Sequence, residues 1–394
     1  MDGHTIHKIA LYVKDKEIVR QLVKIPEYLK LLSISDYHYY HYDQIVLLYE
    51  TIDWRTNNLT LIKSFYRLGY RFDRSLSIKH LNYMAKKGNL EAIKWLYKNR
   101  KEGATRQAMD NAAEYGHLEI VKWLHKKVYT TKSMDNAAKN GHLEIVKWLH
   151  YNRDEGCTKM AMTWAAANGH IEVVKWLHYN RNEGCAKSAM DLAALNGHFY
   201  IIEFLHNCRT EGCTTSAMDY AAQKGNIKIV KFLHENRKEG CSTYAMDNAA
   251  SNGHLEVVKW LHYNRMKKGL CTTSAMDLAA SNGHLEVIKW LHKNRKEGCT
   301  IDAMNHAAIN GHIEIVKWLH ENRKEGCTIY GMRGALCRED NTEMKKWLCE
   351  NIKEYYPNTS NYVLNWFKKK FGKKFDFDDI EYNKDFSKCL LITK

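Results

Sequence analysis

The ten letters "GHLEIVKWLH" at residues 141–150 stand unchanged at 116–125, and close variants occupy 169–178, 253–262, 283–292 and 311–320. The glycine that opens the motif falls at 88, 116, 141, 169, 197, 225, 253, 283 and 311, with spacings of 28, 25, 28, 28, 28, 28, 30 and 28 residues. A period of this length marks stacked supersecondary units, each unable to bury its apolar face without a neighbour.

One copy, "CTTSAMDLAASNGHLEVIKWLHKNRKEG" at 271–298, shows how the unit is made. Thr272 is placed to accept a bond from a free backbone N–H at a helix start. Ala275, Met276, Ala279 and Ala280 follow at helical spacing, and their small side chains let a neighbouring helix approach closely. Gly283 suits the left-handed position that ends a helix. A second helix starts at His284, with Leu285, Val287, Ile288, Trp290 and Leu291 apolar and Glu286 and Lys289 paired at i, i+3. Gly298 is expected to close this helix as Gly283 closes the first. The predicted fold is all-α, a solenoid of stacked helix–turn–helix repeats.

The pattern AA-x-x-GH-[LI]-E-[IV]-V-K-x-L resembles the ankyrin repeat over about residues 43–355. That resemblance implies an inner and an outer helix in each copy, with the inner helices lining a concave binding face. Two departures stand out. The family's TPLH becomes "SAMD" at Ser274 to Asp277, and the period is 28 rather than 33. The shortfall lies where ordinary ankyrin stacks project a β-hairpin, so these fingers are expected to be shortened or absent. The short form looks like arrays found in giant DNA viruses of amoebae and in some protists.

Outside the array the pattern changes. Residues 1–42 carry helical apolar spacing without AAxxGH, and are similar to an F-box: Ile9, Tyr12 and Val13 match its I-x-x-[YF]-[LV] helix, Ile18, Leu22 and Val23 the next. A working F-box would bind a Skp-type ubiquitin-ligase adaptor through Ile9, Tyr12 and Val13; the other reading is a helical N-terminal cap. Residues 356–394, with "KKKFGKK" before "DFDD", read as a C-terminal helix and tail.

The chain carries a formal charge of +15, of which the stretch 76–336 holds +11, about one per repeat. So dispersed an excess reads as a solvated surface, leaving a repeat-type nucleic-acid binder as the alternative class, without specific nucleic acid as partner. No apolar run approaches a membrane span, so a soluble, intracellular and monomeric protein is expected, in the cytoplasm, or in host cytoplasm if the chain is viral.

The repeated letters offer little chemistry. Cysteines 157, 185, 213, 241, 271, 299 and 327 fill one slot per copy. Stacked helices lie about 8–10 Å apart, too far for a disulfide or a shared zinc, so buried free thiols and no metal are expected. His254 and His262 are eight residues apart on one helix, not the i, i+4 pair of a zinc protease. The first is expected to satisfy local backbone, and the second to sit near a helix end that favours a cation. Tryptophans 95, 123, 148, 176, 260, 290, 318 and 347, with Phe204 and Phe232, form a ladder expected to be core or half-core. There is no phosphate-binding loop and no Ser, His and Asp set outside the repeats, so no enzyme and no cofactor are expected.

Function is then expected where the copies differ. The position after "AMD" reads Asn111, Asn136, Trp164, Leu192, Tyr220, Asn248, Leu278 and His306. Trp164, Leu192 and Tyr220, extended by Leu195 one turn on, have the composition of a protein-binding hot spot, and Leu278 and His306 continue the slot. The competing reading has these side chains patching gaps in the stack. The expected function is a protein–protein interaction scaffold, presenting its partner to ubiquitination machinery if 1–42 is an F-box.

Overall fold

Ala, Met and Asp in the first half of each copy, and Ile, Val and Leu in the second, recur at intervals that put them on one face of a short helix. A helix of eight to ten residues is marginal alone, so these form by packing. The computed structural model describes residues 74–99, 103–128, 130–264 and 271–328, with single positions between 331 and 351. Residues 1–42 with Ile9, Tyr12 and Val13, the tail 356–394, and most of the longer loop at 264–271 lie outside the described residues.

The chain falls into two units, 1–186 and 187–394. Among the described residues the first shows four hairpins: α1 (Arg74–Lys87) with α2 (Leu90–Asn99), α3 (Arg106–Glu114) with α4 (Leu118–Leu124), α5 (Lys132–Lys139) with α6 (Leu143–Asn152), and α7 (Lys159–Ala167) with α8 (Ile171–Asn180). Among its described residues the second shows five: α9 (Ser188–Leu195) with α10 (Phe199–Cys208), α11 (Ser216–Gln223) with α12 (Ile227–Asn236), α13 (Tyr244–Ser251) with α14 (Leu255–Asn264), α15 (Ser274–Ser281) with α16 (Leu285–Asn294), and α17 (Ile301–Asn310) with α18 (Ile313–Asn322). No strand occurs among the described residues. Among the described residues each unit is an all-α stack of helical hairpins, with no β-hairpin finger between copies.

Within each unit the inner helix packs mainly on the inner helix of the next copy, and the outer helix on its own inner partner. Ala275, Met276, Ala279, Ala280, Val287, Ile288 and Leu291 are all buried. Burying each of the larger side chains, Met276, Val287, Ile288 and Leu291, contributes about 1.5–3 kcal/mol.

Gly283 has φ +86, and the N–H of His284 bonds to the Ala279 carbonyl at 2.9 Å, so the inner helix ends in a left-handed turn. A Cβ at Gly283 would also lie 2.9 Å from Cε1 of His312, whose ring belongs to the following copy. Gly298 does something else than expected. The outer helix has already ended at Asn294, whose side-chain amide bonds to the Trp290 carbonyl at 2.8 Å. Gly298 sits four residues on, with φ +73, and its missing Cβ makes room for the guanidinium of Arg323.

Neighbouring copies are joined by polar hooks. Asp247 is buried and accepts from the backbone N–H of Thr272 at 2.8 Å and from its hydroxyl at 3.0 Å. Thr272 Oγ1 accepts in turn from the Ser274 N–H at 3.1 Å, the helix-start bond expected of it. Asp135 with Thr158, Asp191 with Thr214, Asp219 with Ser242 and Asp277 with Thr300 repeat the arrangement. The copy that lacks three residues keeps it. Its outer helix stops at Leu124, and Thr130 and Ser133 both donate to Asp110 Oδ1, at 3.2 and 2.9 Å.

Candidate functional site

Along the inner helices from α3 to α17, Met and the two later alanines are buried, while the slot after the third motif residue is exposed in three copies and half-buried in the others. Trp164 is 39 % exposed, Leu278 39 %, His306 exposed, and Leu192, Leu195, Tyr220, Asn111, Asn136 and Asn248 half-buried. In the first unit Lys139 of the preceding copy lies over the Trp164 ring, 5.9 Å from its centroid. In the second, Leu192 and Leu195 share α9, and Tyr220 sits on α11, packed against it. Leu278 and His306 lie on α15 and α17, also neighbours. Where the slot is Asn111, its amide donates to the Asn82 carbonyl of the previous copy at 2.9 Å.

Two exposed apolar side chains on the inner helices escaped the sequence reading. Tyr244, 66 % exposed, opens α13, and Ile301, 43 % exposed, opens α17. The signal for Tyr244 was present, because the same place holds Ser188, Ser216 and Ser274 in other copies.

The repeated polar residues are occupied in joining copies. Nε2 of His312 lies 3.1 Å from the Ser281 carbonyl, and His142 and His117 reach Glu114 and Lys86 in the same way, at 3.1 and 3.0 Å. The first histidine therefore serves the preceding copy's backbone rather than its own. The second stacks edge-on against the aromatic of the next copy: His262 and Trp290 have centroids 5.2 Å apart, His292 and Trp318 5.2 Å, His150 and Trp176 5.1 Å. Burial, then the charge of Arg295, lowers the His262 pKa, so the helix-end cation expected there gives way to a neutral ring. The ladder tryptophans are half-buried.

Where fingers would project, the "NRKEG" loops at 236–240, 294–298 and 322–326 each fold into an arginine bridge. Arg295 pairs bidentately with Glu297, Nε to Oε2 at 3.1 Å, and its guanidinium also meets the Cys271 thiol of the preceding copy. The bond from Arg237, outweighing burial, holds the Glu239 carboxyl down at about 2. Burial pushes the thiols of Cys157, Cys213 and Cys327 up to about 12, and those of Cys271 and Cys299 to about 11. Such thiols are poor nucleophiles and poor ligands. Among the described residues no three His, Cys, Asp or Glu side chains gather into a metal-sized group, and no helix is long and apolar enough to cross a membrane.

Comparison with protein families returns "Ankyrin repeats (3 copies)" at residues 134–214, 192–270, 218–302, 246–330 and 276–361. It also returns "Ankyrin repeats (many copies)" at 81–125. The first of these alone spans more than half of the chain. No curated protein matches it.

Proposed function

The chain belongs to the ankyrin-repeat family, whose stacks are non-enzymatic scaffolds for protein–protein interaction, and from that premise we propose that it holds a protein partner on the open slots of its inner helices. The anchors are Trp164 in the first unit and Leu192, Leu195, Tyr220, Leu278 and His306 in the second. The observation that carries this reading is the exposure of Trp164, at 39 %, on a helix whose Ala161, Met162, Ala165 and Ala166 are buried. A core residue filling a gap would be covered like its neighbours. An indole left at the surface is a low-entropy anchor of large area.

The test sets thermal melting beside partner capture for Trp164→Ala and Trp290→Ala. Trp164→Ala is expected to reduce capture by about 2 kcal/mol or more and to change stability by no more than about 0.5 kcal/mol. Trp290→Ala is expected to loosen the fold. Equal melting losses would make the slot part of the core.

The N-terminal residues Ile9, Tyr12 and Val13 extend the proposal to a substrate adaptor that recruits a Skp-type component of a ubiquitin ligase. Capture from the natural cell with the full chain and with a chain lacking 1–42 tests that step. Loss of the adaptor alone, with the partner retained, supports it. The nucleic-acid alternative is less favoured, since Trp164, Leu192, Leu195 and Tyr220 offer little hydrogen bonding to a strand.

A further inference from the structure

A second departure from the repeat lies on the outer helices of the second unit. Elsewhere the outer helix carries Glu in its first turn and Lys three residues on. The pairs Glu119–Lys122, Glu144–Lys147, Glu286–Lys289 and Glu314–Lys317 close at 2.6, 2.8, 2.9 and 3.3 Å. On α10 and α12 this acidic line is broken in two consecutive copies. Tyr200 replaces the glutamate of α10, with Glu203 at the lysine place; Lys228 replaces the glutamate of α12, with Lys231 in the usual place.

The geometry is that of an organised patch. Lys228 Nζ lies 3.7 Å from the centroid of Phe199 and 5.5 Å from that of Tyr200. Phe199 stands edge-on to Phe232 at 5.4 Å and to Tyr200 at 5.8 Å. Tyr200 is 72 % exposed, and Lys228 and Lys231 are exposed. Neither lysine has an ion-pair partner among the described residues, Glu203 and Glu256 included. A ring face holds an ammonium in place without consuming its N–H donors as a carboxylate does. Lys228 is thus fixed and still able to donate, beside a phenol that also donates.

We propose that the Tyr200–Lys228–Lys231 patch docks an acidic segment of a protein partner. A carboxylate of that segment meets Lys228, and an apolar side chain lies on the Phe199 and Tyr200 rings. Charge complementarity selects the occupant: two unpaired lysines on one helix attract carboxylates, and the exposed ring beside them favours a peptide that offers an apolar group as well. This surface is on the outer helices, separate from the inner-helix slots, so its test stands apart from theirs.

The test measures binding of a fluorescent peptide of alternating Glu and Phe to the full chain, against the same peptide with Gln for Glu and against a single-stranded oligonucleotide. Lys228→Glu restores the Glu–Lys pattern of the other copies, and is expected to fold and melt like the parent chain. It is expected to weaken the acidic peptide about tenfold, and Tyr200→Glu to do likewise. The Gln peptide is expected to bind little. Equal binding of the two peptides, or unchanged affinity in Lys228→Glu, would overturn the proposal. So would an oligonucleotide that binds more tightly than the peptide and is lost with Lys228→Glu.

Discussion

Asp247 and Glu239 are carboxylates pushed in opposite directions. Burial dominates at Asp247 and raises its pKa, while the Thr272 bonds pull it down and lose. Its protonated form is favoured in the fold, so its contribution is full below the unfolded value of about 3.9 and is lost as pH rises through the raised value. Glu239, held at about 2 by Arg237, contributes above its unfolded value, and that contribution is lost as pH falls toward about 2. Two signed outcomes follow from melting between pH 2 and 7. Asp247→Asn keeps an acceptor, as Asn305 does for the N–H and hydroxyl of Thr328 at 2.7 and 3.1 Å, and should improve relative to the parent chain as pH rises. Glu239→Gln should be less stable by about 1 kcal/mol at pH 7, with the difference fading in acid. Asp247→Ala leaves two donors without their acceptor and should cost about 1–3 kcal/mol. The sequence showed Asp in "AMD" only as a departure from TPLH. Its partner lies in the next copy, and a bond between copies leaves no trace in one copy's pattern.

The helices themselves were legible from the alternation of Ala and Met with polar letters, because each is short and its apolar face is the reason it forms. What closes them was legible at one end only. Gly283 and Gly298 look alike in sequence, yet the first ends a helix and the second leaves room for Arg323, since both need φ above zero and only contacts tell them apart. The cysteine slot was readable as free thiol because one cysteine per copy lies too far from the next for a disulfide or a shared zinc; six of these slot thiols are buried, and Cys241 is half-buried. Thiol labelling at pH 8, scored cysteine by cysteine, should find exposed Cys208 modified at once. Cys157, Cys213 and Cys327, with pKa values near 12, should react only after unfolding. The slot residues were identified as variable from sequence, but their exposure was not: Leu192 and Tyr220 lean half into the stack, and Trp164 and Leu278 do not.

Each unit's helices touch almost solely their own hairpin and the next, so stability is close to a sum of copies and of the junctions between them. A strained junction should then split unfolding instead of lowering it uniformly. Gly253→Val, which puts a β-branched residue at φ +76 beneath the His284 ring, should turn one denaturant transition into two, read by circular dichroism and hydrogen exchange. The aspartate hook has a further consequence, for inheritance. Most described copies carry an aspartate socket for the successor and a hydroxyl plug for the predecessor; at one junction Thr163 and Ala186 stand in, the Ala186 N–H donating to the Thr163 hydroxyl oxygen at 3.0 Å. Excising the 28 residues from Gly197 to Lys224 would bring the socket of Asp191 opposite the plug of Ser242 and restore the join. A cut half that long would set an inner helix where an outer one belongs. Unequal recombination between such genes therefore yields folded proteins of new length whenever it removes or adds a whole period, and the copy number of this array is free to drift while its architecture stays fixed.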